Sequence, residues 1–315
     1  MPSQTMTSAT RGRGAVSNPP SRFLALHTER VDDGWHAPVG DDGQVGPHSW
    51  ADWPAAGPQT QLLPDLTREI ITRNRSPDVP FDRSINPYKG CEHGCIYCFA
   101  RPTHAYLDLS PGIDFETRIF YKTQVRARLL EAIGKQSYVC GTIAMGTNTD
   151  PYQPVEKQQR ITRTILEVLL EHRHPVSIVT KGQLILRDLD LLSDLAAQGL
   201  VSVAVSLTTL SNPLKTRLEP RAASAAARLR VIRALSDAGV PVGAMLAPVI
   251  PFINDHEIES LVATAADAGA SQMAYILLRL PLEVADLFQA WLETHYPLKA
   301  ARVMNTIRAS RGGRT

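Results

Sequence analysis

Five short apolar, often β-branched runs, separated by amphipathic helical text, constrain this chain more than any other feature. They are Val139 to Met145, Pro175 to Thr180, Leu200 to Leu207, Pro241 to Pro248 and Met273 to Leu278, and Phe81 to Asn86 is added ahead of them as a first strand, giving six βα units. Continuous apolar strands of this kind suit a parallel sheet covered on both faces. Between them, Ile161, Ile165, Val168 and Leu169 make a helical stripe, as do Leu229, Ile232 and Leu235, and Leu261, Val262 and Ala265. Gly134, Gly199, Gly239 and Gly269 close such helices. The expected fold is α/β, a partial TIM barrel of the (β/α)6 kind with parallel strands and outer helices; a doubly wound sheet is the alternative. The last amphipathic segment, with Val284, Leu287, Phe288, Trp291 and Leu292, is expected to pack on the outside.

Residues 1–60 read differently. Seven Pro and seven Gly lie in that stretch, and they mark an irregular leader, docked by Trp35, Trp50 and Trp53, ahead of a barrel domain over 61–315. The Arg11-Gly12-Arg13-Gly14 stretch reads as a solvated terminus rather than a nucleic-acid arm, because the leader's four Arg face one Glu and five Asp. The composition excludes collagen-like, wholly disordered and disulfide-scaffold classes. A formal charge of +2 does not demand a nucleic-acid partner. No apolar run is long enough for a membrane helix, and the N-terminus lacks the apolar core of a secretory signal. Three of the four cysteines fall within eight residues, which points to a metal centre in a reducing, cytoplasmic setting rather than to disulfides.

Those three are Cys91, Cys95 and Cys98, in the line Asn86-Pro-Tyr-Lys-Gly-Cys-Glu-His-Gly-Cys-Ile-Tyr-Cys98. Gly90 and Gly94 let so short a loop curl around a compact inorganic centre, and thiolates select zinc or iron–sulfur. Three ligands on a four-iron cluster leave one iron open to a small molecule. Zinc needs a fourth donor; His93 would crowd the tetrahedron, and no second Cys pair follows. Cys140 is isolated and reads as a small buried hydrophobe.

The spacing Cys91-x3-Cys95-x2-Cys98, with Tyr97 before the last thiol, resembles the signature of radical S-adenosylmethionine (SAM) enzymes. Within them it is most similar to the spore photoproduct lyase-like, "DNA repair photolyase" branch. The similarity runs over residues 65–312, through Ser84 to Cys91, Tyr97 to His104, Gly146-Thr-Asn-Thr-Asp-Pro-Tyr-Gln-Pro154, Val179-Thr-Lys181, Glu219-Pro-Arg221 and Ala247-Pro-Val-Ile-Pro251. The resemblance implies a [4Fe-4S] cluster on Cys91, Cys95 and Cys98. SAM would bind the open iron, and a reductant such as flavodoxin or ferredoxin would supply the electron that cleaves it to a 5′-deoxyadenosyl radical. It also implies sequence running on past Arg311-Gly312-Gly313 in relatives.

In a parallel barrel the functional groups gather at the carboxyl ends of strands, where these motifs fall. Gly146, Thr147, Thr149 and Asp150 are expected near the SAM amino group, with Asp150 alternatively capping a turn before Pro151. Lys181 is a partner for the SAM carboxylate, or else a snorkelling surface lysine. Ser206 is a further SAM contact, with Thr208 and Thr209 as rivals, and Tyr97 lies near the adenine or merely packs. Glu219 and Arg221 either pair with each other or touch substrate. His104, Tyr106 and Tyr152 are candidate substrate contacts. A spore photoproduct lyase proper carries a hydrogen-donor cysteine at the end of its second strand. Here that end reads Met145-Gly-Thr-Asn-Thr-Asp150, and Cys140 lies seven residues before Thr147, about 23 Å along an extended strand. Repair of thymine dimers by that route is therefore not expected. The leading expectation is a lyase-like radical SAM enzyme of unidentified substrate. One alternative is repair or modification of a nucleic acid by the same chemistry, gripped by Lys89, Arg101, Lys122, Arg217 and Arg221; the other is a non-catalytic zinc-binding module.

Overall fold

A computed structural model describes residues 12–24, 59–77 and 79–313. Arg11, Trp35, Trp50 and Trp53 lie outside the described residues. The chain forms β1 (Gln61–Asp65), β2 (Thr72–Arg73), β3 (Arg83–Ile85) and β4 (Tyr88–Lys89) before its first helix. Then come α1 (Ile113–Thr117), β5 (Arg118–Lys122), α2 (Val125–Ile133) and β6 (Ile143–Met145). Helices α3 (Glu156–Gln159) and α4 (Ile161–Glu171) precede β7 (Val176–Thr180), and α5 (Leu189–Ala197) precedes β8 (Val201–Ser206). Helices α6 (Asn212–Leu218) and α7 (Ala225–Asp237) lead to β9 (Val242–Val249), and α8 (Ile258–Asp267) leads to β10 (Gln272–Leu277). Two helices, α9 (Val284–His295) and α10 (Pro297–Ser310), follow.

The main sheet has the order β10-β9-β8-β7-β6-β3-β2. Neighbours from β3 to β10 are all parallel, and only β2 runs antiparallel, at one edge. The order never reverses. A doubly wound sheet must reverse at a switch point, so this is the order of a barrel wall, left open between β10 and β2. Strands β7 and β8, Val-Ser-Ile-Val-Thr and Val-Ser-Val-Ala-Val-Ser, carry the β-branched residues that pack well on a pleated surface. Their inward positions join Ile165, Leu169, Leu192, Leu195, Ile232 and Leu235 of the surrounding helices in one core.

Three features depart from the periodicity-based expectation. The last strand is not covered on both faces: β10 is the edge of the wall, and Tyr275 is 76% exposed. The chain between β3 and β6 contributes β4 and β5 to a second sheet, of order β1-β5-β4, in which β1, from ahead of the wall, runs parallel and β4 antiparallel to β5. This sheet holds the two residues just ahead of the cysteine loop. Finally, α9 and α10 do not dress the outside of the wall. Their residues Phe288, Trp291, Val303 and Ile307 share a core with Leu214 and Leu218 of α6 and with Ile96, Tyr97, Ile250 and Ile253 of loops, all on connections beyond the carboxyl ends of the strands. An amphipathic stripe specifies that a face is buried, not what buries it.

Trp291 is fully buried in that second core, and its indole Nε1 donates to Arg217 O at 3.1 Å. Trp291→Ala is expected to cost about 3–5 kcal/mol of stability, read as a lowered midpoint in denaturant unfolding; a change below about 1 kcal/mol would mean that α9 is not integral to the fold.

Candidate radical SAM site

The loop from Gly90 to Cys98 follows β4 immediately. Residues 91–97 are all buried, and Cys98 is half-buried. The loop is neither helix nor strand, so its peptide groups need partners from elsewhere. Cys91 N donates to Phe115 O at 2.9 Å, Ile96 N to Leu218 O at 3.1 Å, and Arg221 N to His93 O at 3.3 Å. Gln153 spans the loop, accepting from Glu92 N at 2.9 Å and donating to Gly90 O at 3.1 Å. Gly94 has φ +67°, and a Cβ there would stand 2.7 Å from Glu116 Oε2. No L side chain fits that turn without displacing the carboxylate.

Arg101, fully buried, clamps the loop from behind. Its Nε donates to Cys95 O at 2.9 Å, its Nη1 to Pro111 O and Gly112 O at 3.0 and 2.9 Å, and its Nη2 to Glu116 Oε1 at 2.5 Å. It is therefore not a surface cation for a nucleic acid. Lys122 is held at the Asp65 carboxylate, with Lys89 on its other oxygen, and Arg221 pairs with buried Glu92 at 2.9 Å. Arg217 is exposed and donates to Tyr296 OH at 3.1 Å.

Beyond the loop, the carboxyl ends of the strands are laced together by hydrogen bonds. Asn86, after β3, bonds Thr147 Oγ1 and the amide of Asn148, after β6. Gly146 turns the chain out of β6 at φ +86°. Thr149 Oγ1 donates to Tyr88 O at 2.9 Å. Asp150 is buried in a knot: Oδ1 accepts from Tyr152 N at 2.8 Å and Thr180 Oγ1 at 2.6 Å, and Oδ2 accepts from Lys181 N at 2.7 Å. His93 Nδ1 lies 3.3 Å from Oδ2 and has no well-formed hydrogen bond. Burial pushes the Asp150 carboxyl up, but the facing His93, the Thr180 hydroxyl and the Lys181 amide outweigh it and hold it below its ordinary value. The turn-capping role is thus present, and it joins the cysteine loop to the end of β7.

Lys181 is not a snorkelling lysine. Its Nζ points inward, donating to Ser206 Oγ at 2.6 Å, 3.4 Å from Glu219 Oε1 and 5.6 Å above the centre of the Tyr97 ring. Ser206 Oγ in turn donates to Ala247 O of β9 at 3.3 Å. Glu219 is the hub below them, receiving the Tyr97 hydroxyl, Thr208 Oγ1 and the buried Arg228 guanidinium. Burial alone would raise its pKa; the charges of Arg228 and Lys181, with the hydrogen bonds from Tyr97 and Arg228, hold it well below the usual carboxylate range. The expected Glu219–Arg221 pair is not formed: Arg228, missed in the sequence because it sits inside an ordinary helical stripe, takes that place. Of the rivals to Ser206, Thr208 faces Glu219 and Thr209 bonds Glu257.

Other candidates fall away from this rim. His104 is fully buried, with Nε2 against Arg118 O at 3.0 Å, and burial lowers its pKa to about 4. Tyr152 is a core residue, and Tyr106 is 73% exposed against Phe23. Cys140 is exposed, not buried, and precedes β6 at the amino end of the sheet. Two open cavities, of about 530 and 590 Å³, are lined by residues such as Asn74, Phe81 and Ser177 or Tyr121, Gln124 and Ile161. Neither includes the thiols.

The thiols fit an iron–sulfur centre. Burial raises all three, Cys95 to about 12, so thiolates form there only against added positive charge, which iron supplies. Lys181 and Arg228 act in the same direction on Cys95, and Arg101 on Cys98. His93 presents Nδ1 to Asp150, and among the described residues no three His, Cys, Asp or Glu side chains are grouped as ligands of one metal ion.

Comparison with known proteins points the same way. The chain is 40% identical over 226 residues to an uncharacterized protein of Mycobacterium tuberculosis (strain ATCC 25618 / H37Rv), covering 71% of this chain and 66% of that protein. It therefore spans just under two thirds of that relative's length. It is 28% identical over 213 residues to an uncharacterized protein of Methanocaldococcus jannaschii, covering 68% of this chain and 76% of the relative. Among solved structures, a spore photoproduct lyase variant superposes with a TM-score of 0.54 at 18% identity, over 75% of this chain and 66% of the other. A second, with bound AdoMet and dinucleoside spore photoproduct, gives 0.53 at 15% identity over the same shares; at these identities the likeness is one of fold. The model of the Radical SAM superfamily matches residues 85–265, which include the cysteine loop and the rim from Asn86 to Asn254. The chain belongs to the radical SAM superfamily.

Proposed function

We propose that this chain is a radical SAM enzyme on a (β/α)6 partial barrel, cleaving SAM reductively to abstract hydrogen from a substrate C–H bond. One observation carries the reading: three thiols on one loop, Cys91 and Cys95 buried and Cys98 half-buried, stand beside an inward-pointing Lys181 whose Nζ reaches Ser206 and Glu219. In it, Cys91, Cys95 and Cys98 would hold a [4Fe-4S] cluster, which, with a donor such as flavodoxin or ferredoxin, would supply the electron for reductive cleavage of SAM. Everything else is done by the polypeptide. Lys181 turns from Glu219 to the SAM carboxylate, a charge-assisted contact. Ser206 and Thr147 offer hydroxyls to its polar atoms, and the backbone at Gly146 leaves room for them. The Tyr97 ring forms an apolar wall for the adenine. Thr149 and Asp150 act at one remove, holding Tyr88, Thr180 and the Lys181 amide in register. A solvent-touched Cys98 ligand suits a reducing compartment such as the cytoplasm, and among the described residues no helix is long and apolar enough to cross a membrane.

The hydrogen source for product is not a thiol at the end of β6, because Met145 to Asp150 contains none and Cys140 lies at the far end of the strand. The spore-photoproduct ligand of the neighbouring structure is therefore not carried over as this chain's substrate. The proposed basic grip on nucleic acid is weakened by the ion pairs that occupy Lys89, Arg101, Lys122 and Arg221.

Anaerobic reconstitution with iron and sulfide, then dithionite and SAM, is expected to give a brown, oxygen-sensitive protein that forms 5′-deoxyadenosine. Cys98→Ala is expected to form none. A colourless wild-type protein that binds only zinc would overturn the reading. Lys181→Ala is expected to keep its cluster and weaken SAM binding about 10–100-fold, the loss of about 1.5–3 kcal/mol typical of a hydrogen bond to a charged group. Equilibrium dialysis of the reconstituted variant measures it, and unchanged affinity would remove Lys181 from the SAM site.

A further inference from the structure

The Arg11-Gly12-Arg13-Gly14 stretch was expected to be a solvated terminus; Gly12 is exposed, but the chain turns inward from there. Gly14 and Ala15 are buried, and Ala15 shares a core with Cys95, Ile96 and Tyr97. The contact is backbone on backbone: a Cβ built on Gly14 would stand 1.8 Å from Gly94 O, inside the carbonyl, and 3.4 Å from Ile96 N. Only glycine allows the two chains to approach so closely. The amides of Gly14 and Ala15 donate to the two oxygens of Glu116, at 2.9 and 2.8 Å. Arg13 Nη1 donates to Glu116 O at 2.7 Å, and its Nη2 to Thr60 Oγ1 at 3.2 Å. Thr60 in turn donates to Glu92 Oε1 at 2.5 Å.

Glu116 is fully buried and carries a second load, the Arg101 guanidinium that holds Cys95 O. A buried carboxylate is stable only when its lone pairs are filled. Two of the four donors to Glu116 given above, the Arg101 Nη2 and Ala15 N, are on Oε1; among the described residues Gly14 N alone takes Oε2, and Arg13 takes the main-chain carbonyl. Without the segment, Oε2 loses its donor and Glu116 is left as Arg101's partner alone. The same segment also closes the outer side of the Gly94–Ile96 turn.

We propose that residues 13–15 are part of the cluster site: a strap that, through Glu116 and Arg101, fixes the backbone between Cys91 and Cys98 and slows loss of the cluster. Arg13, Gly14 and Glu116 are positioning residues, touching neither thiol nor SAM. The inference rests on the radical SAM reading and deepens it.

The test compares full-length wild type, Gly14→Val and Arg13→Ala, each reconstituted anaerobically. Its readouts are cluster absorbance during challenge with an iron chelator, the paramagnetic resonance spectrum of the reduced cluster, and the melting temperature before reconstitution. The expected result is loss of cluster about tenfold faster or more in Gly14→Val, the scale of outer-shell effects on metal sites. A smaller acceleration is expected in Arg13→Ala, with altered resonance in both and a melting temperature close to wild type in Arg13→Ala. If Gly14→Val does not fold, Arg13→Ala decides by the same readouts. Wild-type rates and spectra in the folded variants would overturn the strap while leaving the proposed function intact. Failure of the wild type to take up a cluster at all would overturn both.

Discussion

A buried stretch of chain that belongs to no helix or sheet must find hydrogen-bond partners for its peptide groups from outside itself, and the loop from Gly90 to Cys98 is such a stretch. Its partners come from Phe115, Gln153, Leu218, Arg221 and Arg101. Those residues sit on three connections between strands: Arg101 and Phe115 between β4 and β5, Gln153 between β6 and β7, and Leu218 and Arg221 between β8 and β9. The antiparallel pairing of β4 with β5, the burial of α6 under Trp291, and the approach of the segment around Gly14 are all arrangements that bring a donor or acceptor, or an excluding surface, to this loop. The site is positioned by many weak attachments rather than by one rigid element.

Charge is organised on the same plan. Two carboxylates, Glu116 and Glu219, are buried against the cysteine loop, and each is met by a fully buried arginine, Arg101 or Arg228. Removing either arginine would leave an uncompensated buried charge, and the penalty for that exceeds the net worth of the pair. Glu219 has an additional cation, Lys181, which is only partly buried, 16% exposed against 1–2% for Glu219 and Arg228. The buried pair sets the field in which that lysine stands.

The wall of parallel strands was legible because its signal is local. Short β-branched runs between amphipathic stripes announce strand and helix residue by residue, and the rim residues Thr147, Lys181 and Ser206 could be placed simply by standing at the ends of those runs. The cysteine spacing was legible for a similar reason, since its ligands are close in sequence. What was not legible depends on long-range pairing. Arg228 looks like any polar residue in a helix, and nothing near it in sequence says that Glu219 rather than Arg221's neighbourhood is its destination. Arg101 read as a cation that could grip a nucleic acid and Glu116 was not singled out, because only the closed loop makes them a buried pair. The last helices showed an apolar face without showing that the loops at the strand ends would cover it, and Cys140, read as a buried hydrophobe, stands in a loop just outside the strand. The Arg-Gly run at the N-terminus read as solvent-exposed because local charge was the available criterion, whereas backbone proximity decided the matter.

The attachment of Gly14 and Ala15 to Glu116 spans 102 and 101 residues of chain. Contacts so distant in sequence close a large loop at an entropic cost that local elements avoid, and they form after those elements are in place. The first described residues of the chain therefore have no seat until α1, the loop around Gly94 and the turn after α6 have come together. The seat of Gly14 and Ala15 is thus made wholly of parts contributed from further along the chain, with its carboxylate about a hundred residues away.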